Sequence, residues 1–260
     1  MFTEEKNGLK LLRFDVLKGL DGVACAVSTR QGGVSPGPFG GLSLGVGAGD
    51  NKEALAKNLE LFCAAFGADP ARIANMRQRH TANVAVVEAG GQAPAENTDA
   101  LVTAVPGVAL LTRSADCALT VFYDAKHKAL GVAHSGWRGA LLNANGAMLN
   151  VMSMRFGTKP EDIVAGVSPM ISSAHYAVRE DFLGKLEAFY PGSEHKNFIN
   201  IQNGIHFFSL RELLRSQLNE LGVKNHEFMH LCTYEHKELF YSWRREGAGT
   251  GHFGLMAMLK

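Results

Sequence analysis

The sequence predicts an α+β fold, in which runs of strands and the main helices occupy different parts of the chain. Short apolar runs typical of strands dominate residues 83–134 without helical patterns between them, which argues against a regular doubly wound α/β fold. The chain has no internal repeat, low-complexity tract or linker-like stretch. Its 260 residues, 46% of them hydrophobic, suffice for a large core. We therefore expect residues 1–260 to form a single domain.

The first elements are a strand, a loop and a helix. The apolar run at residues 23–29 predicts a strand, and the Gly/Pro-rich segment through Gly49 predicts a loop. Loops of this length are usually functional or disordered. Asp50 and Glu53 form a capping-box-like start for a helix that ends at Gly67. The apolar face of this helix comprises Leu55, Leu59, Phe62 and Phe66.

Two further helices follow in the second half of the chain. One is predicted from about residue 140 to residue 155, directly after the strand-rich region. The other begins with the capping pattern Ser209 to Glu212 and ends at Gly222. Its apolar face comprises Leu210, Leu213, Leu214, Leu218 and Leu221.

The stretch ALGVAHSGWRG, residues 129–139, places polar side chains at the end of a predicted strand. An apolar run leads to His134, and the small residues after it allow the backbone to turn sharply or to approach a ligand. The alternative is that His134 is a hydrogen-bonded core histidine and that Trp137 and Arg138 form a structural stacked pair.

Cys117 and His80 also lie at the ends of predicted strands. Cys117 comes 17 positions before His134 at the head of a strand-like run, and sequential strands often pair. Three widely separated His and Cys ligands suit a catalytic zinc site, which keeps its fourth position open. The residues alone leave three interpretations open: a metal centre, a Cys–His nucleophile pair and no site.

Charge and composition argue against several classes of partner. The net charge of +1 and the lack of a basic run give no long-range field for nucleic acid or an anionic membrane. No apolar stretch approaches a membrane span, and the N-terminal residues do not resemble a secretory signal, so we expect a cytoplasmic protein. The four cysteines are too sparse for a disulfide framework, and Cys25 and Cys63 fit core positions.

Arginines beside glycines are candidate anion ligands. Arg30 precedes the glycine-rich residues 31–41, which match neither a P-loop nor a dinucleotide fingerprint. A guanidinium can bind phosphate or carboxylate oxygens in a bidentate manner. Arg138 is a similar candidate, with the alternative that it pairs with Asp116 or Asp99. Seven other histidines lack such neighbours, and most of them are predicted at the surface or in loops: His127, His175, His195, His206, His226, His230 and His236.

Six motifs in order resemble a bacterial laccase-like family, long labelled polyphenol oxidase, whose members are described as zinc-dependent purine nucleoside phosphorylases with adenosine deaminase activity. The resemblance covers nearly the whole chain and implies a layered sandwich, with mixed β-sheets at the centre and helices outside. The motifs lie at residues 29–39, 78–80, 99–103, 115–117, 134–139 and 240–246.

The resemblance implies roles for individual residues. His80, Cys117 and His134 match the three metal-binding positions, and zinc is the implied metal, in preference to copper. Asp116 adjoins Cys117 and is the candidate for proton transfer. The implied substrates are phosphate and a purine nucleoside such as adenosine, inosine or methylthioadenosine. The candidate substrate-binding residues are Arg30, Trp137, Arg138 and Arg244, although residues 244–246 could equally form a solvated charge run. The resemblance favours Tyr241 and Trp243 as aromatic surface for the purine.

The chain departs from the family pattern at positions that concern the substrate pocket. Serine replaces a usual alanine at Ser135 and a common asparagine at Ser43, Leu119 replaces a proline, and His252 replaces an arginine. Residues 166–172 match the family's Gly/Pro-rich loop only loosely. We therefore expect an intact metal site and leave the preferred nucleoside open.

Three other functions remain as alternatives. In a metal-free hydrolase, Cys117 would be the nucleophile and His134 or His80 the base, acting on an amide such as a cell-wall precursor, because some bacterial members are linked to peptidoglycan editing. A copper-dependent phenol oxidase is disfavoured because the sequence has no His-x-His pattern. A non-enzymatic ligand sensor predicts binding without turnover.

Overall fold

The computed structural model describes residues 1–46 and 49–260, so Gly47 and Ala48 of the predicted loop lie outside the described residues. The α-helices of the described chain are α1 (Lys52–Phe66), α2 (Trp137–Leu141), α3 (Ala144–Phe156), α4 (Glu180–Phe189), α5 (Leu210–Glu220) and α6 (Trp243–Glu246). The strands are β1 (Phe2–Lys6), β2 (Leu9–Arg13), β3 (Val23–Ser28), β4 (Ile73–Ala74), β5 (Val84–Val86), β6 (Ala100–Thr103), β7 (Ala109–Ser114), β8 (Ala118–Asp124), β9 (Ala129–Ser135), β10 (Ile163–Val167), β11 (Ala177–Val178), β12 (Ile199–Gln202), β13 (Ile205–Phe208), β14 (Asn225–Phe228) and β15 (Phe253–Leu259). Among these described helices, none has the length and apolar character to cross a bilayer.

Two six-stranded sheets form the centre of the molecule. The first has the strand order β1-β2-β3-β15-β7-β4 and the second β14-β10-β8-β9-β6-β5, while β11, β13 and β12 form a small third sheet. Apolar side chains of both large sheets pack into one buried layer, with Val27 and Leu255 from the first sheet and Val121 and Val132 from the second. The strands of residues 83–134 thus form most of the second sheet.

Helices cover the outer faces of both large sheets. Phe62 and Phe66 of α1 pack with Leu111 and Met256 on the outer face of the first sheet. Residues of α3 and α5 pack with β8 and β9 on the outer face of the second sheet. The structure confirms the predicted α+β class and the layered sandwich with mixed sheets at its centre.

Helix α1 begins one residue later than the capping pattern indicates. The side chain of Asn51 accepts the backbone N–H of Ala54 at 2.8 Å, so Asn51 is the N-cap and the prediction of Asp50 is wrong. Asp50 instead accepts a hydrogen bond from Ser35 Oγ at 2.7 Å. The predicted end is confirmed, because Gly67 has a φ of 94°, a left-handed conformation that glycine adopts without strain.

The helix predicted from residue 140 to residue 155 is interrupted. Asn143 lies between α2 and α3 with a φ of 54°, and its side chain accepts the N–H of Gly146 at 3.0 Å. Asparagine tolerates this conformation and is a strong N-cap, so it ends one helix and starts the next. Helix α5 begins after Ser209 as predicted, and Gly222 follows its end with a φ of 82°.

Candidate metal and substrate site

His80, Cys117 and His134 meet at one end of the two large sheets. Strands β8 and β9 are antiparallel with Leu119 opposite His134, which confirms the predicted strand pairing and brings Cys117 beside His134. His80 comes from the loop before β5. One ligand atom from each of the three residues lies within 4.8 Å of the other two. Cys117 Sγ is 3.8 Å from His80 Nε2, and the two imidazole rings are 4.8 Å apart.

A buried carboxylate orients both histidines. Asp99 Oδ1 lies 2.9 Å from His134 Nδ1 and accepts the backbone N–H of His80 at 3.0 Å. Nδ1 of His134 therefore carries the proton toward Asp99, which leaves Nε2 available to a ligand. Asp99 Oδ2 accepts the backbone N–H groups of Arg79 and Thr81 and the Thr81 hydroxyl, so the same carboxylate closes the loop around His80.

Hydrogen bonds to Asp99 outweigh the effect of burial on its pKa. Burial alone would raise the pKa of Asp99, but the hydrogen bonds from His134, Thr81 and Arg79 hold that pKa well below its usual range. Asp99 is therefore charged at neutral pH and holds the Nδ1 proton of His134.

Gly136 makes room for the three side chains. A Cβ atom at this position would lie 2.5 Å from His80 Cδ2 and 2.8 Å from Cys117 Sγ, both closer than real Cβ contacts. Only glycine fits there without displacing two of the three candidate ligands.

The thiol and the imidazole of the cluster shift each other's pKa. Burial would raise the pKa of Cys117, but His134 and His80 outweigh it and lower that pKa to about 6. Burial would lower the pKa of His134, but Cys117 and Asp99 raise it to about 9. Cys117 is thus available as a thiolate at neutral pH, which is the form that binds metals or acts as a nucleophile.

Gln78 anchors the segment that carries His80. Its side-chain amide donates to the carbonyl of Arg113 at 2.8 Å and accepts the N–H of Arg113 at 3.0 Å. The Gln78 amide thus bonds both backbone groups of Arg113, as a neighbouring strand would. This pair of hydrogen bonds attaches the loop after β4 to β7. Sequence analysis missed this role, and the only available indication was the position of Gln78 within the Gln-Arg-His motif.

Asp116 connects the Cys117 turn to the C-terminal segment. Its carboxylate accepts hydrogen bonds from Thr233 Oγ1 at 2.6 Å, Ser242 Oγ at 3.0 Å and the Arg244 N–H at 2.7 Å. Asp116 also has a φ of 93°, a conformation rarely adopted by non-glycine residues. The three hydrogen bonds hold the turn against residues 233–244.

The candidate arginines occupy different environments. Arg30 Nη1 pairs with Glu246 at 3.1 Å, and its guanidinium lies 4.4 Å from the Tyr241 ring centre. Arg138 is exposed and stacks on Trp137 at 4.5 Å. No ion pair between Arg138 and Asp99 or Asp116 occurs within the described ranges, so the predicted alternative partners are wrong.

Tyr176 lies against Arg244, a contact that sequence analysis missed. The Arg244 guanidinium lies 5.1 Å from its ring centre, and Arg244 donates to the Ala177 carbonyl at 2.9 Å. Burial raises the pKa of Tyr176, and the charge of Cys117 adds to this effect, so the phenol stays protonated. Tyr176 follows the loosely matching residues 166–172, and its sequence neighbourhood has no periodic pattern to identify it.

Tyr241 does not provide a stacking surface. It is fully buried, and its hydroxyl donates to the carbonyls of Phe39 and Gly40. The expected aromatic role is therefore wrong for Tyr241, whose hydroxyl attaches the glycine-rich loop to the C-terminal segment. Trp243, in contrast, is 55% exposed.

Comparison with known proteins matches residues 24–260 to the family model of the multi-copper polyphenol oxidoreductase laccase. The chain belongs to this family. A purine nucleoside phosphorylase of Bacteroides thetaiotaomicron is 32% identical over 93% of each chain. One of Deinococcus radiodurans is 35% identical over 94% of this chain and 90% of the relative.

Two solved structures have the same fold as this laccase-family chain. The YfiH hypothetical protein of Bacillus licheniformis superposes with a TM-score of 0.89 at 27% identity, over 99% of each chain. YlmD of Geobacillus stearothermophilus superposes with a TM-score of 0.90 at 26% identity, over 100% of this chain and 98% of that one.

The residues at which this laccase-family chain departs from the family pattern are largely buried. Leu119 is fully buried in the layer between the sheets, and the hydroxyls of Ser43 and Ser135 are buried without a hydrogen-bond partner among the described residues. His252 packs against Gly45. Burial, together with the charges of His134 and Arg113, lowers the pKa of His252 to about 4, so a neutral imidazole stands where the family often has an arginine.

Of the seven other histidines, His230 is exposed and the other six are partly buried, and His206 and His226 lie in strands rather than in loops. His127 belongs to a second group of candidate ligands with Asp124 and Asp162, which sequence analysis did not identify. Its Nδ1 lies 2.7 Å from Asp124 Oδ2, whose other oxygen accepts the backbone N–H groups of Lys126 and His127. These contacts stabilise the turn between β8 and β9.

Proposed function

We propose that this protein is a purine nucleoside phosphorylase with a zinc ion held by His80, Cys117 and His134. The observation that carries the proposal is the preorganised His–Cys–His cluster, in which Asp99 fixes the ring of His134 and the loop of His80. The names of the curated relatives support the reaction, because they match nearly the whole chain at 32–35% identity.

The donor set fits zinc. Two imidazoles and one thiolate are zinc ligands, and three protein ligands leave the fourth position of a tetrahedral site open, as in catalytic zinc centres. When bound, such an ion supplies Lewis-acid chemistry, polarising a water molecule or a substrate oxygen. Copper is the less suitable metal, because multi-copper oxidation uses clustered His-x-His ligands that this sequence lacks.

Phosphorolysis requires that a phosphate oxygen attack the anomeric carbon of the ribose while the C–N bond to the purine breaks. The leaving purine takes the electron pair and must be protonated or hydrogen-bonded. We assign this hydrogen bond to Tyr176, whose ring lies 5.1 Å from the guanidinium of Arg244, one of the proposed substrate contacts. Trp137 and the arginines Arg30, Arg138 and Arg244 are the proposed contacts to the purine and phosphate.

We also propose adenosine deamination in the same purine pocket. This reaction needs a group that transfers protons at the purine amino group, and Asp116 is our candidate because it adjoins Cys117. The Asp116→Asn variant tests the assignment. We expect it to lose inosine formation from adenosine while it retains phosphorolysis of inosine. Equal loss of both reactions would show that Asp116 acts only through the turn that it holds.

The decisive experiment combines metal analysis with product analysis. Freshly purified protein is expected to contain about one zinc per chain by mass spectrometry. Incubation with adenosine, inosine or methylthioadenosine should give free base and ribose 1-phosphate (or the methylthio sugar phosphate) only when phosphate is present. Cys117→Ser should lose zinc and turnover together, whereas Cys63→Ser, a change in the α1 core, should keep both. Protein without zinc and without turnover would contradict the proposal.

A cysteine hydrolase is the second candidate, supported by the lowered pKa of Cys117 beside His80. Metal-stripped protein distinguishes the two. A hydrolase should remain active on an amide substrate after chelation and lose activity when iodoacetamide alkylates Cys117. The phosphorylase that we propose should lose activity on chelation alone and recover it with added zinc.

A further inference from the structure

A second group of metal-type ligands lies at the opposite end of the β8–β9 hairpin from the His–Cys–His cluster. It consists of Asp124 at the end of β8, His127 in the following turn and Asp162 directly before β10. One ligand atom from each of the three residues lies within 4.8 Å of the other two. Asp124 and Cys117 are the two ends of an extended stretch of chain, so the two groups are separated by about 20 Å.

The strand register brings the two carboxylates together. Strands β8 and β10 are antiparallel with Asp124 opposite Ile163, so Asp162 lies one residue beyond that pair. The imidazole of His127 approaches both carboxylates, because its Nδ1 is 2.7 Å from Asp124 Oδ2 and 4.0 Å from Asp162 Oδ2. In an octahedral site with bonds of about 2.1 Å, neighbouring ligand atoms are about 3 Å apart. A shift of about 1 Å at Asp162 therefore gives three ligands to one ion.

A buried hydroxyl adds a further oxygen to this group. Thr158 is 2% exposed, and its Oγ1 makes no hydrogen bond of normal geometry within the part of the chain that the structure describes. Burial would raise the pKa of Asp124, but the His127 N–H and the approach of the Thr158 hydroxyl lower it. The preceding Gly157 packs on the imidazole, since a Cβ atom there would lie 3.6 Å from His127 Cδ2. A buried oxygen without a well-formed hydrogen bond often marks a bound water or ion.

The charges of this group favour a cation. Lys126 Nζ lies 3.3 Å from Asp162 Oδ2, and it is the one lysine or arginine that pairs with these carboxylates within residues 1–46 and 49–260. With the imidazole in its neutral form, two carboxylates face a single ammonium group, which leaves a net negative charge. The Lys126 side chain is 60% exposed, and an exposed ion pair contributes little stability. Lys126 can therefore move into water when an ion binds.

We propose that Asp124, His127 and Asp162 bind a divalent transition-metal cation of the manganese(II) type. Carboxylates suit manganese, and the imidazole nitrogen disfavours magnesium and calcium, which prefer oxygen ligands alone. The proton on His127 Nδ1 moves to Nε2 when the ion binds, so the ring remains neutral. The bound ion cross-links the β8–β9 turn to the segment before β10. The group has no thiolate and Lys126 competes with the ion, so binding is weaker than at the His–Cys–His cluster. This second site does not depend on the phosphorylase function.

Titration of the full-length protein with Mn²⁺, after loading with a single equivalent of zinc, tests this proposal. Free Mn²⁺ gives an electron paramagnetic resonance signal that is lost on binding, and the parent should bind about one Mn²⁺ per chain. Asp162→Asn and His127→Gln should each weaken binding roughly tenfold or more, since even the loss of an outer-shell partner has an effect of this size. Asp181→Asn, whose carboxylate is also paired with a lysine, is the matched control and should bind like the parent. Lys126→Met should strengthen binding, because it removes the competing ammonium group.

Thermal unfolding gives a second readout. Mn²⁺ should raise the melting temperature of the parent and of Lys126→Met and leave that of Asp162→Asn unchanged, because an ion stabilises only the protein that binds it. Without metal, Asp162→Asn should melt close to the parent, since it loses only a partly exposed ion pair. Manganese held by the His–Cys–His cluster would persist in Asp162→Asn, so the two sites are measured separately. Absence of binding, or full binding by Asp162→Asn, would overturn the proposal. So would equal displacement of Mn²⁺ by Mg²⁺, which would indicate general attraction to carboxylates.

Discussion

The buried carboxylate of Asp99 hydrogen-bonds Nδ1 of His134 at 2.9 Å. The same oxygen accepts the backbone N–H of His80. One atom therefore fixes the orientation of the His134 ring and the position of the His80 main chain. Cys117 reaches this pair because it lies one residue before β8, which pairs with the strand of His134. The geometry of the cluster therefore depends on Asp99 as much as on the three candidate ligands.

Asp99→Asn should weaken zinc binding by about 10–100-fold, since the amide lacks the charge that favours the required tautomer and cannot accept from all five donors. Competition with a chromophoric chelator measures this affinity. Urea unfolding should show a loss of about 1–3 kcal/mol, because buried N–H groups lose their acceptor. Asp181→Asn, an exposed change on α4, is the control. Unchanged zinc affinity in Asp99→Asn would contradict the role of Asp99.

Gly136→Ala should abolish metal binding while the fold persists. The added methyl group would overlap His80 and Cys117, and the easiest relief is to move these side chains apart. Gly184→Ala is a matched control, because nothing lies within 4 Å of that position on α4. It should bind zinc normally and gain about 0.5–1 kcal/mol of stability from helix propensity. A Gly136→Ala protein with parental zinc content would refute the steric argument.

Periodicity and strand order predicted much of the fold and the meeting of Cys117 with His134. They did so because apolar patterns and sequential pairing are local properties. Gln78 and Tyr176 escaped prediction because their roles come from contacts with distant segments. Tyr241 was assigned to a surface because an aromatic residue beside arginines resembles a pocket wall. The choice of Asn51 over Asp50 as the cap rested on a hydrogen bond from Ser35, which no local pattern indicates.

Asn58→Ala should destabilise the protein and loosen residues 31–46. Asn58 is fully buried on α1, and its amide donates to Ser35 Oγ and the Ser43 carbonyl at 2.9 Å and accepts the Val34 N–H at 2.8 Å. The alanine variant leaves several buried polar groups without a hydrogen-bond partner. We expect the free energy of unfolding in urea to fall by about 2–4 kcal/mol.

Limited proteolysis provides the second measurement for this variant. Cleavage within the glycine-rich loop should be faster in Asn58→Ala than in the parent, because the loop loses its attachment to α1. Asn219→Ala, an exposed change on α5, should leave stability and cleavage nearly unchanged. Parental stability of Asn58→Ala would show that the loop is held by other contacts.

His252→Gln should make the metal-free protein less sensitive to acid. The pKa of His252 is about 4 in the folded protein and near 6.5 when exposed, so above pH 6.5 the imidazole is neutral in both states. As the pH falls from 6.5 toward 4, the unfolded chain takes up the proton and the folded chain does not, which destabilises the native state. At pH 5 this effect amounts to about 2 kcal/mol, and the glutamine variant lacks it.

Urea unfolding at pH 7 and pH 5 should therefore show a smaller loss of stability for His252→Gln than for the parent, whereas His230→Gln, an exposed change, should follow the parent. Equal losses in His252→Gln and the parent would mean that the imidazole at position 252 is protonated in the folded protein, and its proposed neutrality beside the cluster would be wrong.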